Sequence, residues 1–244
     1  MTQSARDLEI TFARAWMLLV RNPVIVVPGI VIGVIAAVVE SALRVLAATS
    51  LTLSGNGSPD ALDAANAFVA IVLFVVTLAL SLVQMAYITG MAGAAWRHDH
   101  TSLGDGWDAL AHRLWPAAGA ATLLLVIGFC AAALAPFTFA ITLLIYAMFF
   151  IYTMAAVIIG ERPPIAGIIE SASTALANLL PTLAVVALIA VTAALGGWLG
   201  SLVGRVWELG GALATGLIGQ VVVSYASLVI AGEYLKLTHT KTEL

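Results

Sequence analysis

The chain has 244 residues, of which 62% are hydrophobic and 9% are charged. Soluble domains average about 45–50% apolar and about 25% charged residues, so the composition excludes an ordinary soluble enzyme and a disordered chain. The net charge of −3 provides no basic excess for binding nucleic acid. The composition therefore indicates an integral membrane protein whose partners are membrane lipids.

The chain contains six stretches with few or no charges, each of which can supply the roughly 20 apolar residues that cross a bilayer. The run 114–160 is charge-free and long enough for two spans, and Pro136 near its middle predicts a turn. Because the runs are continuous rather than alternating, they favour helices over barrel strands. The sequence predicts one all-α membrane domain over residues 1–244. The six transmembrane helices are predicted at about 23–48, 66–95, 115–135, 137–160, 180–203 and 210–235.

Six spans place both termini on the same side of the membrane. Eight of the ten lysines and arginines fall on that side, and Arg44 and Arg205 fall on the other. Basic residues are retained on the cytoplasmic side of multi-pass proteins. The charge distribution therefore predicts that both termini are cytoplasmic.

Three prolines, Pro23, Pro116 and Pro181, each separate a short amphipathic segment from an apolar span. The apolar residues of each segment recur at spacings of three, four and seven, which places them on one helix face. Helices of this type lie in the membrane interface, with the apolar face toward lipid. The three predicted stripes are Leu8, Phe12, Ala15 and Leu19; Leu103, Trp107, Leu110 and Leu114; and Ile165, Ile168, Ile169, Ala172, Leu176 and Leu179.

Each amphipathic segment is followed by an outward and a returning span, so the same order of elements occurs three times. We expect a threefold internal repeat of interfacial helix and helical hairpin, with units at about 5–95, 102–160 and 164–235. Three unrelated juxtamembrane helices are the alternative. Ser102 followed by Asp105 resembles a capped helix start and predicts where the second amphipathic helix begins.

Several short segments carry a family resemblance: Ala13-Arg14-Ala15-Trp16 through Arg21-Asn22-Pro23, Glu161-Arg162-Pro163-Pro164, and Ile169-Glu170-Ser171 with Asn178. On these segments the chain resembles a family of bacterial six-helix membrane proteins. The family includes the YciC-type proteins and the membrane domain attached to some glycerophosphodiester phosphodiesterases. The resemblance covers most of the chain. It implies a bacterial inner (plasma) membrane protein with no catalytic residues to carry over.

Uncharged polar residues follow one face of two predicted spans: Thr77, Ser81 and Gln84 in the second, and Gln220 and Ser224 in the sixth. They could line a polar path for a solute, or they could hydrogen-bond neighbouring helices, which is the commoner role. The sequence places no ionisable residue at the middle of any predicted span. This argues against a proton-coupled transporter, which requires an ionisable relay.

Small residues at every fourth position predict close helix packing. Gly29 and Gly33 form a short series in the first span, and Gly196, Gly200 and Gly204 form a longer one in the fifth. We expect these glycines to pack helices within the bundle, with a dimer face as the alternative.

The densest polar cluster is Arg97-His98-Asp99-His100, with His112 further along the chain. Imidazole and carboxylate groups bind several divalent metals, but no second pair at ligand spacing follows. We interpret the cluster as a solvated loop and predict neither a metal nor another cofactor.

These observations predict a non-enzymatic integral membrane protein. It would act in membrane organisation, in lipid homeostasis or as an accessory subunit, in contact with another membrane protein or a second copy of itself. The alternative is a small-molecule or lipid transporter or exporter, motivated by the repeat and by the polar faces of the second and sixth spans.

Overall fold

A computed structural model describes residues 3–53, 59–134, 136–138, 141–206 and 208–239. These residues form helices and connecting turns without a strand. The helices are α1 (Gln3–Arg21), a 3-10 turn (Pro23–Val26), α2 (Val27–Leu53), α3 (Pro59–His98), α4 (Leu103–Leu134), α5 (Ile141–Phe150), α6 (Thr153–Ile158), α7 (Pro164–Ala177), α8 (Leu179–Val206) and α9 (Glu208–His239).

Within the described residues, four helical segments are long and apolar enough to cross a membrane, and a bent pair could supply a fifth. The all-helical, multi-pass character predicted from the sequence is confirmed at this level. The 3-10 turn and α2 together cover the segment predicted as the first span, and α3 covers the second. The four segments are Leu103–Leu134, Ile141–Ile158, Leu179–Val203 and Thr215–Thr238, and the bent pair is Leu8–Arg21 with Pro23–Ala36.

The large buried side chains concentrate where α1, the ends of α3 and α9, and α6 meet. Leu18, Met91 and Leu228 belong to this core and are almost completely buried. Elsewhere the long helices leave many large apolar side chains exposed, including Ile71 and Phe129. A soluble monomer rarely exposes apolar patches of this extent, whereas lipid covers them without cost. The bundle therefore has a packed end and an apolar exterior.

The predicted amphipathic stripes have two different outcomes. At the start of α4 and along α7 most of the stripe is exposed, including Trp107 at 62% and Ile169 at 62%, although Leu110 is buried. In α1 the expectation of a lipid-facing stripe is wrong, because Ala15 and Leu19 are buried in the core. The cause is that α1 has apolar residues on two faces, and the stripe packs against the bundle, mainly against α9. The exposed apolar face of α1 carries Ile10, Trp16, Met17 and Val20.

The fourth predicted span, 137–160, is not one continuous helix as expected. It starts at Ile141 and breaks between α5 and α6. At the break the Ser171 hydroxyl of α7 donates to the Phe149 carbonyl (2.7 Å) and accepts from the Tyr152 backbone N–H (3.1 Å). A side chain inserted into the backbone ladder is an established cause of a helix kink. The break therefore depends on a contact between distant segments.

Helix direction changes at three non-helical residues, each close to one of the three prolines. Asn22 (φ −123°, ψ 63°) separates α1 from the 3-10 turn at a bend of 88°. Arg113 (φ −124°, ψ 15°) interrupts α4, and Asn178 (φ −134°, ψ 54°) separates α7 from α8. The bends therefore fall one or three residues before the proline, since proline removes a donor and disfavours helix in the preceding turn.

Two of these corners use an asparagine carboxamide in the same way. The Nδ2 of Asn22 donates to the Leu18 carbonyl (3.0 Å), and that of Asn178 donates to the Thr174 carbonyl (3.0 Å). Each of these carbonyls also accepts the backbone N–H of the same asparagine, so the carboxamide adds a second hydrogen bond at the corner. Asn22 is buried and also accepts a hydrogen bond from the Thr101 N–H (3.1 Å), which ties this corner to the α3–α4 loop.

The predicted capped start of α4 is confirmed. The Asp105 carboxylate accepts hydrogen bonds from the Ser102 backbone N–H (2.7 Å) and hydroxyl (3.0 Å), and the Ser102 hydroxyl accepts from the Asp105 N–H (3.4 Å). The backbone bond from Ser102 is the main cause that lowers the pKa of Asp105 below its ordinary value of 3.8. The hydroxyls of Ser102 and Thr101 and the nearby His100 act in the same direction.

Replacing Asn22 by alanine should destabilise the protein more than the same change at Asn178. Asn22→Ala leaves the buried Thr101 N–H without its acceptor, which costs about 2–3 kcal/mol together with the lost bonds. Asn178→Ala removes one local bond and should cost below about 1 kcal/mol. Thermal unfolding in detergent, followed by tryptophan fluorescence, measures both. Equal losses would contradict a cross-linking role for Asn22.

Replacing Asp105 by asparagine should destabilise α4 by about 1 kcal/mol near neutral pH, as for loss of a helix cap. A lowered pKa means that the carboxylate contributes stability above its unfolded-state pKa, and this contribution is lost as pH falls through the lowered value. The difference in thermal stability between wild type and Asp105→Asn should therefore vanish in strong acid. Asp108→Asn, on the exposed side of the same helix, is the control. A difference that persists in strong acid would contradict the assignment.

Candidate functional site

Two glutamines from the predicted polar faces meet between helices. The Nε2 of Gln84 in α3 donates to the Oε1 of Gln220 in α9 over 2.6 Å. Gly29 of α2 lies against this pair, because a Cβ added at Gly29 would overlap the Gln220 carboxamide. The pair therefore joins three helices through one hydrogen bond and one close approach, as polar and small residues do in membrane bundles.

The remaining residues of the predicted polar path are distributed differently. Ser224, one turn further along α9, is buried and donates to the Ile25 carbonyl (3.3 Å). Ser81 is exposed, and the side chain of Thr77 lies outside the described residues. The structure thus brings Gln84, Gln220 and Ser224 against the start of the first span but leaves Ser81 on the exterior.

The glycine series differ in how closely they approach a neighbour. A Cβ at Gly196 would lie 2.9 Å from Ile218 of α9, whereas a Cβ at Gly33 would be 3.9 Å from Gln220, an ordinary contact distance. Gly200 and Gly204 lie outside the residues whose surroundings are described. Gly29 and Gly196 are therefore the predicted packing glycines at which two helices come closest.

The histidine cluster lies in the exposed α3–α4 loop. His98, Asp99 and His100 are exposed, and Asp99 has the positive φ of 58° that ends α3. Over the described ranges, no group of three or more histidine, cysteine or acidic side chains forms a metal-binding arrangement. Asp99 pairs instead with Arg14 of α1 (3.1 Å), so the loop is held to α1.

A basic pocket of about 500 Å³, which the sequence pattern did not predict, lies between α1, α3 and α9. Its cationic residues are Arg14, Arg97 and Lys236, one from each helix. The three basic residues are each visible in the sequence, but only the packing of the helices brings them to one cavity. The rest of the lining is formed by Ile10, Thr11, Trp96, Gly232 and Leu235.

The two arginines of this basic pocket are positioned by aromatic and backbone contacts. The Arg14 guanidinium lies 4.8 Å from the Trp96 ring centroid, within the range of a cation–π interaction. The indole N–H of Trp96 donates to the Leu228 carbonyl (2.7 Å), and its ring covers Gly232, where a Cβ would overlap it. Arg97 donates to the Ile159 carbonyl (3.2 Å) at the end of α6.

A fully buried carboxylate, Glu233, lies next to the third cation. The Nζ of Lys236 pairs with Glu233 Oε1 over 3.3 Å, and Oε2 has no hydrogen-bond partner in the described part of the chain. A buried carboxylate is stable only when a charge or a donor compensates it. The sixth predicted span, 210–235, includes Glu233, but the sequence pattern gave no sign that this carboxylate is buried.

Further ion pairs connect the helices at the same packed end. Tyr234 donates to Glu170 Oε1 (2.8 Å), and Arg162 donates to Glu170 Oε2 (2.6 Å), which links α9 to α7. Arg113 pairs with Glu161 over 2.6 Å, and Glu161 has a positive φ of 56°. Asp99, after α3, and Glu161, after α6, are thus each held by an arginine of the preceding amphipathic segment.

No family model, curated protein or solved structure matches this chain. The resemblance to the YciC-type proteins accordingly stays a prediction from the sequence. Any functional conclusion depends on the geometry of the packed end and on the exposed apolar helices.

Adding a methyl group at Gly29 should destabilise the bundle, whereas adding one at Gly197 should not. Gly29→Ala forces the flexible end of Gln220 away from Gln84, and the loss of their hydrogen bond costs about 0.5–1.5 kcal/mol. At Gly197 the added Cβ meets nothing within 4 Å, so the variant should gain up to about 1 kcal/mol of helix propensity. Thermal unfolding in detergent compares the two variants. A stabilising Gly29→Ala would contradict the close approach.

Proposed function

We propose that this protein is a non-enzymatic, six-span inner-membrane protein that organises lipids through helices lying at the cytoplasmic interface. The resemblance to the YciC-type membrane proteins and the excess of basic residues on one side support this proposal. The four or five apolar helices among the described residues are compatible with six spans.

The observation that carries the proposal is the exposed apolar surface of α4 and α7 beside the ion-paired end of the bundle. Trp107 is 62% exposed and Ile169 is 62% exposed, close in sequence to the ion-paired residues Arg113 and Glu170. Large apolar side chains next to charged groups are typical of helices that lie between headgroups and acyl chains. Such helices alter lipid packing without any catalytic group.

The three corners support the proposed threefold repeat. Asn22, Arg113 and Asn178 each lie between an amphipathic segment and a predicted span. Asn22 and Asn178 have similar backbone angles, whereas Arg113 shares their φ but has a ψ of 15° instead of 63° and 54°. In the first two units an arginine of the amphipathic segment pairs with the acidic residue that ends the hairpin. A repeated unit provides three interfacial helices on the same membrane face.

An apolar cavity of about 810 Å³ beside α7 also supports contact with lipid. It lies between α4 and α7, and Thr122, its hydroxyl-bearing residue, already donates to the Ala118 carbonyl. A cavity without a free polar group suits an acyl chain better than a polar solute. The other lining residues are Gly119, Leu123, Pro163, Pro164, Ile165, Ala166 and Ile169.

Reconstitution into vesicles tests the proposal. The protein should shift the emission of the headgroup probe Laurdan in proportion to its amount in the membrane, because its interfacial helices change lipid order. The double variant Trp107→Ser with Ile169→Ser should reduce this shift by about half or more, since it removes the apolar anchors of two interfacial helices.

The matched control is Asp108→Ser with Ser173→Ala, which changes exposed polar residues of the same two helices and should leave the emission shift intact. An anchor variant that behaves as wild type would contradict the proposal. Transport of an encapsulated solute by the wild-type protein would favour the alternative function, a small-molecule or lipid transporter.

A further inference from the structure

The basic pocket between α1, α3 and α9 has the properties of an anion site. Arg14, Arg97 and Lys236 contribute three positive charges from three helices around one cavity of about 500 Å³. Among the described residues, Arg14 pairs with Asp99, which is largely exposed, and Lys236 pairs with Glu233, which is fully buried. Three cations thus accompany two carboxylates in the described part of the chain, and this excess of positive charge favours an anionic ligand.

The guanidinium groups retain donors for such a ligand. The bonds of Arg14 to described residues, Asp99 and the Trp96 carbonyl, both use Nη2. The bond of Arg97 to Ile159 likewise uses one Nη. A guanidinium has five N–H donors, so each arginine can bind another acceptor without losing its present contacts. Two arginines and a lysine together match the several oxygens of a phosphate group.

The walls of the pocket indicate that this phosphate belongs to a lipid. Ile10 and Leu235 provide apolar walls, and the adjoining face of α1 exposes Trp16 and Met17. A ligand with a charged head and an apolar tail fits a basic cavity bordered by an apolar helix face. Basic pockets between membrane helices on the cytoplasmic side are a known setting for anionic lipid headgroups.

We propose that Arg14, Arg97 and Lys236 bind the phosphate of an anionic phospholipid headgroup. This inference rests on the proposed lipid-organising function and assigns it a ligand. The same chemistry would also accept a soluble phosphate ester, and the experiment below separates these two sources. The basic pocket lies apart from Trp107 and Ile169. The headgroup site can therefore be refuted while the proposed lipid-organising function holds, and the reverse.

Thermal unfolding of the purified full chain in detergent tests the site. Short-chain phosphatidylglycerol should stabilise the protein at lower concentration than short-chain phosphatidylcholine. Arg97→Gln and Lys236→Gln should each weaken the apparent affinity for phosphatidylglycerol about fivefold, and together about 25-fold. The response to phosphatidylcholine should not change. Arg97→Lys keeps the charge and should stay within about twofold of wild type.

The matched control is Arg21→Gln, which removes one exposed positive charge from α1 outside the pocket. If Arg21→Gln weakens binding as much as the pocket variants, or if both lipids act equally on wild type, the site is refuted. Inorganic phosphate is added in the same assay as the soluble ligand. If phosphate stabilises the protein and phosphatidylglycerol does not, the lipid source is refuted and a soluble phosphate ester is the ligand. If Lys236→Gln alone retains wild-type affinity, the lysine has no part in the site.

Discussion

Charged side chains cannot enter bilayer hydrocarbon without a large cost, and this constraint organises the whole molecule. With so few charged residues, the chain forms long helices whose apolar side chains remain exposed to lipid. The described ion pairs of Arg14, Arg113, Arg162 and Lys236 involve residues close to helix ends or connecting loops. The packed core lies beside these pairs, so tight packing and polar contacts occur in the same part of the bundle.

Within that constraint, polar side chains fix places where the helices are interrupted. Asn22 and Asn178 each add a hydrogen bond to a carbonyl of the preceding turn, and Ser171 bonds the backbone at the break between α5 and α6. Asn22 also accepts a hydrogen bond from the α3–α4 loop, and Ser171 connects α7 to the break between α5 and α6. The corners therefore do more than bend the chain, because they also hold the amphipathic helices against the long apolar helices.

The proposed lipid contacts depend on this rigid end. Arg14 is held over Trp96, which is in turn bonded to α9, so the basic pocket is defined by three helices whose relative positions are constrained. Preorganised donors bind an anion with less loss of side-chain entropy than mobile surface lysines. The apolar cavity beside α7 and the basic pocket beside α1 would contact different parts of a phospholipid, the tail and the head.

The sequence by itself determined the membrane class, the all-helical architecture, the capped start of α4 and the approximate places where helices bend. These features depend on local properties, namely hydropathy, helix capping and proline, which a linear pattern records. Tertiary structure alone decided that the α1 stripe is buried, since the pattern cannot distinguish a protein surface from lipid as the partner of an apolar face. The break in the fourth span and the basic pocket were hidden for a related reason: each requires side chains from segments that lie far apart in the chain, and their approach depends on packing.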